Sequence, residues 1–294
     1  MEENFRQRII NYLGYGFVVV FLLMLVLVFA KKGIYSPQMG VNFIVVGDNS
    51  TSLVLMRPQE GVLTWVKLPG NLSIKIVGSE AVYPLSSLWK FGLLEKNPYV
   101  IVGESLSGSI GVLLPKVIKI EGENTPENLL GQLYRLNLAT NFSVRDRILL
   151  RKDLMGSVNS KKIIEIDIPK AATSKVQDPD GKEFLEINSV VNLWTKNKFV
   201  FDVLLGEGKN IKITNLTSVK GAGLLLSRQL ESSGMRVVEL SSKEQFRPHG
   251  KGCVYKLNKE AIFSNYLLEK YVGCKRMVGE TDVKDSSVGE IWLL

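Results

Sequence analysis

An apolar stretch over residues 12–30 constrains this chain more than any other feature. From Phe17 to Ala30 it runs through Phe, Val, Leu, Met and Ala without one polar side chain. Leu13, Gly14, Tyr15 and Gly16 bring it close to the roughly 20 residues that cross a ~30 Å hydrocarbon core. Within lipid such a segment is a helix, because every backbone N–H and C=O must be satisfied inside it. Tyr12 and Tyr15 suit the headgroup level at one end, and Lys31 and Lys32 mark the other boundary. The expectation is a tail over residues 1–11, one N-terminal transmembrane helix over 12–30, and a body hung from the membrane. Val28-Phe29-Ala30 has the small residues that a signal peptidase favours. The run nevertheless exceeds the ~7–15 apolar residues of a cleaved leader, and Lys31-Lys32 follows at once, so a retained anchor is expected. Arg6 and Arg8 on one side nearly balance Lys31 and Lys32 on the other, so charge does not set the orientation.

The rest of the 294 residues suffices for one or two domains. The formal net charge is +8, and the excess lies after the anchor because Glu2 and Glu3 cancel Arg6 and Arg8. A basic body favours anionic partners such as lipid headgroups or cell-wall polymers. The basic residues are scattered rather than blocked, so no nucleic-acid partner is expected. His249 is the only histidine and no CxxC occurs, which leaves no metal site to expect. Cys253 and Cys274 flank a strand-then-helix pattern that returns one end to the other. A disulfide between them is geometrically feasible in an oxidising compartment. The plainer reading is two unpaired, small apolar side chains.

After a linker with Pro37 and Gly40, a largely β-branched run over 41–46 reads as a buried strand ended by Gly47-Asp48-Asn49. Residues 53–56 and 62–68 read as strands joined by a Pro58 turn, and Pro69-Gly70-Asn71 breaks the pattern. Residues 83–94 read as a short helix and 99–102 as a further strand. Thr125 is an N-cap with Pro126 at the first helical position, and Leu129, Leu130, Leu133, Tyr134 and Leu136 form that helix's expected apolar face. Ser143 with Asp146 resembles a capping box opening a helix to about residue 155. Strands over 163–168 and 184–187 come next, the second preceded by an Asp178-Pro179-Asp180-Gly181 turn. A helix is then expected over 188–196. Gly206-Glu207-Gly208-Lys209 marks a boundary. Beyond it, strands and helices alternate as β-α-β, β-α-β, a small α/β domain. The fold class expected is mixed α/β (α+β), with bodies over 41–205 and 209–294.

Few motifs carry chemistry. Gly221-Ala222-Gly223 lacks the third glycine of a dinucleotide fingerprint, since Leu226 stands there. The Asp178 turn lacks the later ligands of a calcium loop. His249 sits in a loop beside Pro248, and nothing marks it as part of a triad. Arg145, Arg147, Arg151 and Lys152 line one helix and suit an anionic ligand such as a pyrophosphate, beside the alternative of a solvated helix face. No residue is assigned as catalytic.

Two regions resemble the LytR-CpsA-Psr (LCP) family of bacterial envelope proteins. Leu53-Val54-Leu55-Met56, the Pro58 turn, residues 62–68 and Pro69 are similar to that family's core strands. Ile211-Lys212-Ile213-Thr214-Asn215-Leu216-Thr217 with Gly221-Ala222-Gly223 resembles the LytR C-terminal domain, completed by the Val254-Tyr255 and Glu290-Ile291-Trp292-Leu293 strands. The resemblance implies transfer of anionic glycopolymer from a polyprenyl pyrophosphate carrier to peptidoglycan, usually with magnesium, outside the cytoplasmic membrane. It also implies an N-terminus inside and a body outside. Yet Gly47-Asp48-Asn49-Ser50 stands where the family has arginine-serine-aspartate-threonine, and Pro69-Gly70-Asn71 where it has proline-arginine-aspartate. The expectation is therefore a non-catalytic binding or scaffolding relative with no cofactor. Its expected ligand contacts are Asp48, Arg145, Arg147 and Arg151, and its expected partners are polyprenyl-linked or wall polymer and envelope proteins. Two alternatives remain: an active transferase, needing Mg2+ and using Asp48 with Arg57, Arg145 or Arg151, and a regulatory module acting through its C-terminal domain.

Overall fold

The structure, a computed structural model, describes residues 15–21, 33–177, 181–242, 252–277 and 288–294. Residues 15–21 are helical and exposed; the rest of the expected span lies outside the described residues. Among the described residues no helix is long and apolar enough to cross a membrane. The Asp178 turn and the His249 loop also fall outside them.

Val41–Val46 (β1), Thr51–Arg57 (β2) and Val62–Leu68 (β3) pair antiparallel, with Val41 opposite Met56 and Thr51 opposite Leu68. They are the middle of a six-stranded sheet, flanked by Val117–Lys119 (β6) and Ala139–Thr140 (β7) on one side and Ile163–Asp167 (β8) on the other. β1 and β2 are buried along their whole length, which a strand achieves only with both faces covered. The period-2 alternation sorts them. Phe43, Val45, Val54, Met56 and Trp65 face one core, while Ile44, Val46, Leu53, Leu55 and Val66 face the other.

Leu85–Leu94 (α1) and Pro98–Ile110 (α2) cover the second face. The strand expected over 99–102 is the first turn of α2. Pro98 occupies the helix start, where its missing N–H costs nothing, and Val102, Leu106 and Ile110 bury at helical spacing. The helix expected over 83–94 begins only at Leu85, because Val82–Pro84 (β5) pairs with Leu72–Lys75 (β4), a strand the sequence did not announce. Thr173–Gln177 (β9) and Glu183–Ile187 (β10) complete that second sheet, in the order β5-β4-β10-β9.

Pro126–Gln132 (α3) and Val144–Asn159 (α4) contribute to the first core. The Thr125 hydroxyl accepts from Asn128 N and the Ser143 hydroxyl from Asp146 N, as expected of both caps. α3 ends at Gln132, however, so Tyr134 and Leu136 lie exposed rather than on its apolar face. The reciprocal arm of the expected capping box is also missing. Buried Asp146 accepts instead from Ile34 N and Tyr35 N, both at 3.1 Å, and so pins the segment entering β1. Tyr35 donates to Asp153 further along α4, and burial with that carboxylate raises its phenol well above the ordinary range.

Val190–Lys198 (α5) and Asp202–Glu207 (α6) lead into the terminal sheet. It comprises Asn210–Asn215 (β11), Arg236–Ser241 (β12), Cys253–Lys256 (β13), Lys275–Arg276 (β14) and Val288–Leu293 (β15), in the order β12-β11-β15-β13-β14. Ala222–Ser232 (α7) and Ile262–Leu267 (α8), extended by a π turn over Leu268–Val272, pack against it. Cys253 and Cys274 are joined by a disulfide with Cα atoms 4.5 Å apart. The Glu207 carboxylate accepts from Phe263 N at 2.7 Å and Ser264 N at 2.8 Å, supplying the α8 start with an anion. Ile211, Leu230 and Tyr271 share one continuous hydrophobic cluster with Phe43 and Trp65.

Arg57 ties these parts together. It donates to Asn42 Oδ1 (2.8 Å), Met56 O (3.1 Å), Phe199 O (3.2 Å) and Val200 O (3.1 Å), and its guanidinium lies 4.2 Å over the Phe201 ring. Burial lowers its pKa to about 10, which still leaves it charged at neutral pH. Truncating Arg57 strands buried carbonyls, so Arg57→Ala is expected to cost about 2–4 kcal/mol of stability, measured by denaturant unfolding.

Candidate functional site

The strand ends that matter are the carboxyl end of β1 and the amino end of β2. Between them the Gly47–Ser50 turn closes through Gly47 N to Ser50 O, 2.8 Å. Asn124 braces the turn from outside, donating to Val45 O and Ser50 O. β6 runs parallel beside β1 with Lys119 in register with Val46. That register delivers the Lys119 ammonium to Asp48, 2.6 Å from Oδ1, while Oδ2 accepts from Gly122 N at 2.7 Å.

A cleft of about 120 Å3 opens here. Its wall is apolar, built by Val46, Leu85, Leu88, Trp89 and Val102; its mouth is polar, with Asp48, Asn49, Ser50, Ser86, Lys90 and Lys119. Trp89 is held edge-on against Tyr99 at 5.6 Å. The volume is below the ~300–1,000 Å3 of a site enclosing a whole small molecule, so it suits one end of a longer ligand. Gly70 lies against the same mouth: a Cβ there would stand 3.5 Å from the Ser86 Cβ and 3.9 Å from Asn49 O. The segments over 47–50 and 69–71 therefore meet at one place in the fold.

The hydrogen bond from Lys119, then that from Gly122, holds the Asp48 carboxyl below its ordinary range. The pair accordingly stays closed above that range and opens only as pH falls through the lowered value. Each charge is largely spent on the other. A Mg2+ ion at this mouth would have Asp48 as its one carboxylate from the lining and would have to displace the Lys119 ammonium and the Gly122 N–H from it. Among the described residues no group of three His, Cys, Asp or Glu could hold a metal ion.

The other expected contacts lie elsewhere. Arg145, Arg147 and Arg151 belong to α4, which contributes to the core on the opposite face of the central sheet from the cleft. Arg147 is buried and donates to Arg135 O at 2.7 Å, and the Arg151 guanidinium lies 5.8 Å over the Tyr134 ring. Arg57, at the far end of β2, stands six residues from Thr51, roughly 20 Å along the strand. Asp48 is thus the one expected contact at the cleft. Lys119, Trp89 and Leu88 were not singled out by the sequence. Their only signals were an ordinary strand lysine and ordinary helix hydrophobics.

No protein-family model matches the chain, and no curated protein matches it. Among solved structures it is similar to Bacillus subtilis TagT, at 10% identity over 57% of this chain and 92% of that one, with a TM-score of 0.40. A transcriptional regulator from Enterococcus faecalis is similar at 12% identity over 53% of this chain and 85% of that one, TM-score 0.40. B. subtilis TagV is similar at 9% identity over 52% and 92%, TM-score 0.38.

Because Arg147 is a buried strut, Arg147→Ala is expected to lower stability by about 1–3 kcal/mol while leaving ligand binding at the cleft unchanged. Thermal unfolding and a binding titration on the same preparation check both halves.

Proposed function

We propose that this chain is a membrane-anchored, extracytoplasmic cell-envelope protein. In this reading it is a degenerate relative of the LCP glycopolymer transferases, with a LytR C-terminal-type domain over residues 209–294. Its cleft holds the lipid-proximal end of a polyprenyl-linked glycopolymer without transferring it. The observation that carries the reading is the Asp48–Lys119 pair. It sits at the mouth of an apolar-walled cleft, where a pyrophosphate would need uncommitted cations. The apolar wall favours an isoprenoid chain, the polar mouth tolerates a phosphate, and one paired lysine with Lys90 as the only other cation of the lining is a thin set for stabilising a phosphoryl-transfer transition state.

The test uses the full chain in nanodiscs, titrated with polyprenyl phosphate and polyprenyl pyrophosphate with and without Mg2+, with tryptophan fluorescence as readout. Saturable binding that ignores Mg2+ is expected. Asp48→Ala frees the Lys119 ammonium and should tighten it by about two- to fivefold. Gly70→Arg, which adds a cation at the same mouth, should act in the same direction. Loss of polymer attachment to peptidoglycan in Asp48→Ala, together with Mg2+-dependent binding, would make the chain a transferase. Absence of binding to either lipid would remove the cleft as a lipid site.

A further inference from the structure

The segment that emerges from the apolar run is fixed to the body almost at once. A side chain at Gly33 would collide with the Asp146 carboxylate. Ile34 N and Tyr35 N donate to that carboxylate, and Tyr266 on α8 donates its hydroxyl to Gly33 O at 3.3 Å. Only Lys31 and Lys32 separate Gly33 from Ala30, the last apolar residue of the run. Even fully extended, that connection spans about 10 Å. The headgroup layer on one side of a bilayer is itself about 5–8 Å thick. A body held on so short a tether has its surface around Gly33 within the headgroups.

That surface has the composition such a position requires. On one side of Gly33, α4 presents exposed Val144 and Ile148 (52% exposed), with Arg145 between them in sequence. Beside α4 lie Tyr134 and Leu136 (90% exposed), placed there by Arg151 over the Tyr134 ring and by Arg147 on Arg135 O. On the other side α8 presents Ile262 (67% exposed), one helical turn before Tyr266. Apolar side chains beside an arginine suit the boundary between headgroups and acyl chains.

We propose that this face rests on the surface of an anionic phospholipid bilayer, fixing how the body stands relative to the membrane. Its contacts are Tyr134, Leu136, Val144, Arg145, Ile148 and Ile262. The proposal rests on the reading of residues 12–30 as a retained anchor.

The experiment uses the full chain in vesicles of phosphatidylcholine, with or without phosphatidylglycerol. Because Cys253 and Cys274 are bonded to each other, an introduced cysteine supplies the reactive thiol. Leu136→Cys and Ile262→Cys are labelled with a fluorophore and quenched by lipids spin-labelled near the headgroup. Leu193→Cys, exposed on α5 over the other core of the central sheet, is the control. Quenching several-fold stronger at 136 and 262 than at 193 is expected, and Arg145→Glu should weaken it in vesicles containing phosphatidylglycerol only. Equal quenching at the three positions, in protein that stays with the vesicles through a carbonate wash, overturns the docking face and leaves the anchor standing. Protein stripped by carbonate overturns the anchor and the face with it.

Discussion

A single buried guanidinium joins the central sheet to the connection that leads into the terminal sheet. Arg57 ends β2, and a chain arriving from α5 must supply carbonyls there because a buried cation with free N–H groups is costly. Phe199 and Val200 supply them, and Phe201 adds its ring face. These are backbone acceptors, so the guanidinium holds the main chain at 199 and 200 directly. Tyr271 closes the arrangement from the terminal part. It donates to Gly40 O at 2.8 Å and stands edge-on to Phe201, with its phenol raised by burial. The two ends of the first hairpin are thus held by residues more than a hundred positions away. One hydrophobic core then runs from Phe43 to Ile291 without a break.

How far this was legible in the sequence depended on how local the governing physics is. The β1–β3 meander was readable because uniform apolar runs bounded by Gly47 and Pro58 admit few alternatives. Helix starts at Thr125 and Ser143 were readable because capping is decided within four residues. The 99–102 segment misled because Val100, Ile101 and Val102 have strand propensity, and only packing against the central sheet makes their spacing helical. The capping box at Ser143 was half readable. The hydroxyl arm is local, whereas Asp146 answers to residues 34 and 35, more than a hundred positions earlier. The cleft was the least legible part, since Lys119 reaches Asp48 only through the β1–β6 register and Trp89 comes from a helix on another layer.

The cleft is defined by the few charges that reach its mouth. Lys119 is paired with Asp48, Lys90 is the one further cation of the lining, and Gly70 adds only bare backbone beside them. The arginines of α4 lie on the opposite side of the sheet from the mouth, Arg147 as a strut under Arg135 and Arg151 against an exposed tyrosine.

The strand order of the terminal sheet sets a limit on when the molecule can become itself. β15, the last of the described strands along the chain, lies in the middle of that sheet and bridges β11 to β13. Until it emerges from the ribosome, β11 has one open edge, and the β13–β14 pair with its disulfide partners has no sheet to join. Polypeptide made from the amino end therefore carries an unfinished terminal sheet until residues 288–293 have been made. A chain threaded across a membrane as it is made would complete that sheet only on the far side, after residues 288–293 had passed through.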